Sequence, residues 1–207
     1  MPLFKSIRTL VKKGTYTEPK YKLVLSAMLR QQRPGYRVIG DVNLGYAEGL
    51  AMDGTTWEYF PKKGVKIATG EARKSILRGA EFDESFVDYK AKAHQVVYEG
   101  TTQLFEKKAH ILKVTLKDGW RKHYYFDTVS GLLIGLKKSA PIHAKGPDVE
   151  TITHISGYKP VNGVLMPFNL VERRTKDGKL FNALLLDTIE ANQPLDPTIF
   201  APPKPKK

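Results

Sequence analysis

Apolar and polar residues alternate along most of the chain. Between Tyr21 and Arg30, Leu23, Leu25, Ala27 and Leu29 share one face, and further on Leu112, Val114 and Leu116 alternate with Lys113, Thr115 and Lys117. A period of two is that of a half-buried strand. Runs of the same kind cover 6–16, 36–46, 49–52, 55–60, 65–68, 94–99, 103–107, 120–126, 132–137, 149–158, 164–173 and 180–190. Short turn signals separate them: Pro34-Gly35, Asp53-Gly54, Pro61-Lys62-Lys63-Gly64, Asp118-Gly119, Asp127–Gly131 and Asp177-Gly178, with a longer loop from Pro141 to Pro147. Connections this short predict antiparallel neighbours, about eleven strands in all. Leu184, Leu185 and Leu186 break the alternation and predict apolar groups on both faces of the last strand. Only Glu71–Arg78 and Phe82–Lys90 have helical spacing, with Phe82, Phe86 and Tyr89 at i, i+4 and i+7 and Gly79 between the two stretches. They predict two short helices or one broken one. The pattern is mainly β with a helical cover: a curved antiparallel sheet wrapped around short helices. No interdomain linker interrupts it, so residues 1–201 read as one domain. The tail 202–207 (Pro-Pro-Lys-Pro-Lys-Lys) reads as a disordered basic end.

Composition narrows the classes. The 207 residues hold no Cys, which excludes a disulfide scaffold and thiol chemistry. Ten Tyr, nine Phe and two Trp argue for a packed core, and no stretch approaches the length of an apolar membrane span. Thirty-four Lys and Arg against 21 Asp and Glu leave a net charge of +13. Charge of that sign suits nucleic acid, an anionic membrane surface or an acidic partner. The basic residues come as separated doublets (Lys12-Lys13, Lys62-Lys63, Arg73-Lys74, Lys107-Lys108, Arg121-Lys122, Lys137-Lys138, Arg173-Arg174), and no recognition helix or zinc finger accompanies them. Nucleic acid is therefore not expected as a partner. The N-terminal MPLFKSIRTLVKKG lacks the apolar core of a signal peptide.

Enzymatic signals are missing. There is no Gly-x-Ser-x-Gly elbow and no phosphate-binding Gly-x-x-x-x-Gly-Lys loop. The five histidines, His94, His110, His123, His143 and His154, form no His-Glu-x-x-His and no helical i, i+4 pair with a third ligand. Asp83 and Glu84 are adjacent and diverge in extended chain. No catalytic residue, metal or cofactor is expected.

Three ordered segments carry a resemblance. They are Tyr124-Tyr125-Phe126-Asp127-Thr128-Val129-Ser130-Gly131-Leu132-Leu133, then Gly157-Tyr158-Lys159-Pro160-Val161-Asn162-Gly163-Val164-Leu165-Met166-Pro167, then Asn192-Gln193-Pro194-Leu195-Asp196-Pro197-Thr198-Ile199-Phe200; Asp53-Gly54 followed by Trp57 adds to them. In this order and spacing the chain resembles the outer-membrane lipoprotein-sorting superfamily, the LolA/LolB-like proteins, in its bacterial branch outside the lipoprotein carrier itself. The likeness spans residues 5–201. It implies an incomplete antiparallel β-barrel wrapped around helices, in the periplasm or cell envelope, with an apolar cavity for a lipid or a lipoprotein acyl chain. That location presupposes a leader this sequence lacks. Two departures stand out: the family's helix ahead of the first strand is missing, and so is the lipobox Cys.

On that basis Trp57 and Tyr59, near Met52, are candidates for a cavity wall, with Leu23, Leu25, Met28, Phe82 and Phe86; Tyr124 and Phe126 offer aromatic groups on one strand. The same residues serve a solid core equally well. Arg30 and Arg37 lie in the early-strand region of the family's cavity arginine and are candidates for an anionic headgroup. Asn162-Gly163 between Pro160 and Pro167 has a purely architectural reading as a tight hairpin. The expected function is passive binding of a lipid or acyl chain for sorting or transport, with an anionic membrane surface or an envelope transport or regulatory protein as further partners. The alternatives are an envelope protein–protein interaction or sensor domain without lipid transfer, and a basic nucleic-acid-binding domain.

Overall fold

The alternating runs become strands, and strands consecutive in the chain pair with one another. A computed structural model describes residues 3–33, 35–40, 46–141 and 148–204, without the side chains of Leu3, Tyr21, Leu23, Ala140 and Pro141. Its elements are β1 Thr9–Glu18, β2 Leu23–Gln32, β3 Tyr36–Gly40, β4 Ala47–Leu50, β5 Thr56–Phe60, β6 Gly64–Ile67, α1 Gly70–Ala80, β7 Gln95–Leu104, β8 Lys107–Thr115, β9 Arg121–Asp127, β10 Leu133–Pro141, β11 Asp148–Ser156, β12 Lys159–Val161, β13 Val164–Met166, β14 Asn169–Arg174 and β15 Leu180–Ala191.

Thirteen strands form one curved antiparallel sheet in the order β6-β5-β4-β3-β2-β1-β15-β14-β11-β10-β9-β8-β7. One arm is the meander β1–β6; the other runs from β7 through β11 to β14 and β15. They join where β1 pairs with β15. The edge strands β6 and β7 do not pair, so the barrel stays open. The chain between them, 68–94, crosses the concave side.

The β1–β15 seam contains a bulge between Lys13 and Gly14. A Cβ on Gly14 would overlap the Leu185 carbonyl and sit 2.7 Å from Leu186 Cα, so this position needs glycine. Asp187 is the extra residue of the bulge, so Leu186 and Ile189, three positions apart, face the same side, while Leu185 points outward and is 46% exposed.

Register assigns the two faces. Arg37 and Thr56 point inward, toward α1. The inward set on β1 and β2 is Leu10, Lys12, Tyr16, Leu25, Ala27, Leu29 and Gln31. Ile7, Leu10, Leu186, Ile189 and Ala191 build the central core, closed at one end by the β12–β13 hairpin through Val161 and Phe168. The turn of that hairpin places Asn162 at φ 46° and Gly163 at φ 77°, the backbone that Asn-Gly adopts most readily. A second core lies on the outer face: Val38, Ala47 and Trp57 pack under Phe200. The C-terminal segment reaches it through a turn at Pro197–Phe200, where Asp196 Oδ1 accepts the Thr198 N–H at 2.9 Å. The Trp57 indole N–H donates to the Phe200 carbonyl at 2.8 Å. The indole lies over Gly49, where a Cβ would come within 2.6 Å of the ring.

Among the described residues fifteen strands form, thirteen of them in the main sheet, against the approximate eleven expected. Several finer expectations are corrected. Residues 82–90 are not a helix but a series of turns, broken by left-handed backbone at Asp88 (φ 51°) and Ala93 (φ 56°). The runs 94–99 and 103–107 fall in one strand with a bulge between Tyr98 and Thr101, plus the start of β8. The run 164–173 is cut at Pro167 into β13 and β14. Pro34, the loop residues 142–147 with His143, the 41–45 part of the 36–46 run and the tail residues 205–207 lie outside the described residues.

The seam generates a prediction. Gly14→Ala forces a methyl into backbone and lowers unfolding stability by about 2 kcal/mol or more. Urea denaturation followed by tryptophan fluorescence measures it; a midpoint equal to the parent protein's would contradict the role given to the bulge.

Candidate ligand-binding face

The inner face is built in rows that cross the strands. On the first arm one row reads Leu10–Gln31–Arg37–Leu50–Thr56 and the next Lys12–Leu29–Ile39–Glu48–Glu58. On the second arm the matching row is Glu172–Thr153–Leu136–Tyr124–Leu112.

Helix α1 covers one end of the first arm. Ile76 and Ala80 are buried against the sheet, and Arg73 Nη1 donates to the Gly54 carbonyl at 3.1 Å and to Thr56 Oγ1 at 3.3 Å. The Arg37 guanidinium lies against Gly79 of the helix, where any Cβ would overlap it. Beyond the helix, residues 81–94 are pinned to both arms. Arg33 pairs with Asp83 through both guanidinium nitrogens (Nη2 to Oδ1 2.7 Å) and stacks 4.4 Å from the Phe82 ring centre. On the other arm Phe86 packs edge-on against Tyr124 and Phe126, with centroids 5.0 and 5.4 Å apart. The Tyr124 hydroxyl donates to Glu84 at 3.0 Å, and Lys122 donates to buried Ser85 at 3.0 Å.

Polar groups on the inner face largely satisfy one another. Buried Glu172 accepts from Thr151 Oγ1 at 2.5 Å and Asn182 Nδ2 at 2.8 Å, with Lys138 Nζ 3.2 Å away. Tyr46 donates to Glu48 at 2.7 Å and Tyr16 to Glu18 at 2.9 Å; burial, then the neighbouring carboxylates, raise both phenol pKa values. Two cations are exceptions. Arg37 Nε is buried with no hydrogen-bond partner among the described residues. Burial pushes its pKa down, and nearby Glu48 and Tyr46 act in the opposite sense. Lys12 makes no ion pair with a described residue; desolvation first and the charge of Arg37 second lower its pKa to about 8, with Glu84 opposing.

Between these polar groups, Leu25, Ala27, Leu29, Ile39, Phe60 and Leu184 point inward and remain only half-buried. Tyr46 and Phe60 stack at 5.3 Å beyond the reach of the α1 contacts.

The predicted site residues divide between the faces. Leu25, Phe82, Phe86, Tyr124, Phe126 and Arg37 come together on the inner side or its cover. Leu23 holds an inward register position, but its side chain lies outside the described residues. Trp57 and Tyr59 face outward, packed in the core under Phe200, because their register partner row runs through Ala47 and Gly49. Met28 and Arg30 also face outward, and Met52 sits 45% exposed in the β4–β5 turn. Sequence reasoning missed Lys12, which it counted only as half of a basic doublet; its placement two residues from Leu10 in an alternating run was the available signal, and the structure sets it opposite Leu29.

Two of the distinctive sequence segments have local structural work. Asp127 Oδ1 accepts the Val129 N–H at 3.1 Å, and Oδ2 accepts from Ser130 Oγ at 2.8 Å and Lys107 Nζ at 3.1 Å, which depresses its pKa to about 2. Asn192 Oδ1 accepts the Arg8 N–H at 2.7 Å, tying the end of β15 to the start of β1.

Neither a scan of protein-family models nor a search of curated proteins finds a match. Solved structures do match. A DUF1329 family protein from Desulfovibrio piger superposes with TM-score 0.66 at 14% identity, covering 95% of this chain and 91% of that one. A putative outer membrane lipoprotein-sorting protein domain from Vibrio parahaemolyticus gives 0.63 at 11% identity, over 93% and 88%. A LolA superfamily protein from Nitrosomonas europaea gives 0.63 at 13% identity, over 97% and 91%. The chain has the LolA/LolB-like fold. In this LolA/LolB-like sheet the described residues contain no cluster able to hold a metal ion and no helix long and apolar enough to cross a membrane.

Lys12 yields a prediction with a definite sign. Its folded pKa of about 8 lies below the ordinary lysine value of 10.5, so the charged form destabilises the fold below pH 8 and that penalty fades as pH rises from about 8 to 10.5. Lys12→Met raises stability at pH 7 by about 1–3 kcal/mol and removes most of the rise in stability between pH 8 and 10.5. Denaturation across that pH range measures both effects, and parallel curves for the two proteins would contradict the assignment.

Proposed function

We propose that the chain binds a lipid or lipoprotein acyl chain between the sheet and its cover, as a cell-envelope binding protein without enzymatic chemistry. The observation that carries this reading is the set of inward apolar side chains (Leu25, Ala27, Leu29, Ile39, Phe60 and Leu184) that the cover leaves half-buried while the inner carboxylates are occupied by neighbouring hydroxyl, amide and ammonium groups. Apolar surface of that kind gains free energy when an acyl chain displaces water, about 25 cal/mol per Å². Arg37 and Lys12 supply positive charge on the same floor for a carboxylate or phosphate at the head of the ligand. A fold shared with a lipoprotein-sorting domain supports the same ligand class. Transfer in this reading is passive and follows relative affinities.

A second reading, docking of an envelope protein, has its own observation: Val24 and Leu185 stand 69% and 46% exposed on the outer face. Adjacent residues separate the two. Titration with a fluorescent fatty-acid probe is expected to show binding weakened at least tenfold by Leu25→Arg and unchanged by Val24→Arg. Equal affinity in the Leu25→Arg protein, folded by circular dichroism, would rule out the inner face as the binding surface.

A further inference from the structure

Positive charge gathers at one end of the sheet. Antiparallel pairing places the β1–β2, β5–β6 and β14–β15 turns at the same end of the eight consecutive strands from β6 to β14. These turns carry Lys20, Lys22, Lys62, Lys63, Lys176 and Lys179, all exposed. Apart from Lys20, none of these lysines makes an ion pair with a described residue. The carboxylates within or beside the turns are engaged: Asp177 is held by Arg174 Nη2 at 2.6 Å, and Glu18 accepts from Tyr16. At the opposite end of the same strands lie Asp53, Asp196, Arg8 and Arg33, and Arg33 is neutralised by Asp83. Unpaired positive charge therefore gathers at one end of these eight strands.

The geometry of the basic end limits what can neutralise it. Eight strands at about 4.8 Å spacing spread the lysines along a curved edge of about 34 Å. A small anion meets one or two of them. An extended anionic surface meets them all, and exposed ammonium groups keep most of their hydration against such a surface while gaining from its potential. The α1 contacts lie at the other end, around Gly54, Thr56 and Gly79. The lysine edge is thus the end of the inner face away from the α1 contacts, with Tyr16, Tyr46 and Phe60 just inside it.

We propose that this lysine crescent docks this end of the inner face on an anionic lipid bilayer. Docking does not depend on the acyl-chain reading; that reading supplies only what would pass through this end once docked.

Sedimentation of the full chain with phosphatidylcholine vesicles, with and without one-third phosphatidylglycerol, tests the proposal. Binding is expected only to the anionic vesicles and to fall steeply with salt. A lysine at an anionic surface contributes about fivefold to partition, so a variant with Lys62→Glu, Lys63→Glu, Lys176→Glu and Lys179→Glu should lose at least a hundredfold. A control reversing Lys13, Lys90, Lys108 and Lys204 has the same net charge and should lose far less. Equal loss in the two variants, equal binding to neutral vesicles, or salt-sensitive binding to an oligonucleotide with none to vesicles would each overturn the proposal. Failure of the fatty-acid probe to bind, with charge-dependent vesicle binding intact, would remove the ligand reading and leave docking standing.

Discussion

The pairing of β1 with β15 is the constraint on which the rest of the molecule depends. Among the described residues it is the strand pairing that joins the two arms of the sheet, and it brings Leu10 of the first strand against Leu186 and Ile189 of the last to form the central core. Its bulge at Gly14 turns both Leu186 and Ile189 inward. Asn192 and Thr9 lock the end of the seam through the Asn192 N–H to the Thr9 carbonyl at 2.9 Å. Once the arms are fixed, the segment 81–94 can grip both, by Arg33–Asp83 on one side and Tyr124–Glu84 on the other. Seam and cover together hold the two arms of one open sheet around its concave face.

Much of this was legible before any coordinates. Alternation in Leu23–Leu29 and Leu112–Leu116 reads directly as strands because side chains repeat every two residues. Asp53-Gly54, Asn162-Gly163 and Asp177-Gly178 announce their turns through the backbone freedom of Asn, Asp and Gly. What failed was information that only partners contain. Phe82, Phe86 and Tyr89 have helical spacing, yet Phe82 answers to Arg33 and Phe86 to Tyr124, and these contacts are made by turns. Trp57 is a cavity candidate through the family resemblance and a core candidate equally; its strand register turns it outward, where a C-terminal segment more than a hundred residues away covers it. Lys12 was hidden for the opposite reason, since a lysine doublet reads as surface unless the register of its strand is known.

The inner face combines two kinds of surface. Its carboxylates are held by phenols, a threonine, an asparagine and a lysine, which removes their demand for water, while among the described residues Arg37 Nε has no hydrogen-bond partner and Lys12 no ion pair. Desolvated cations of this sort destabilise the fold in isolation. Their placement beside half-buried leucines matches a ligand with an apolar chain and an anionic head. The two features together separate this surface from the outer core beneath Phe200, which is apolar and fully closed.

The central claim is that the space between sheet and cover holds an acyl chain. Native mass spectrometry of the intact protein, purified without detergent and followed by identification of any released ligand, tests it most directly. The account predicts a bound species carrying a long acyl chain and an anionic head, lost from the Leu25→Arg protein. A protein that stays ligand-free after incubation with fatty acids, phospholipids and acylated peptides would contradict it.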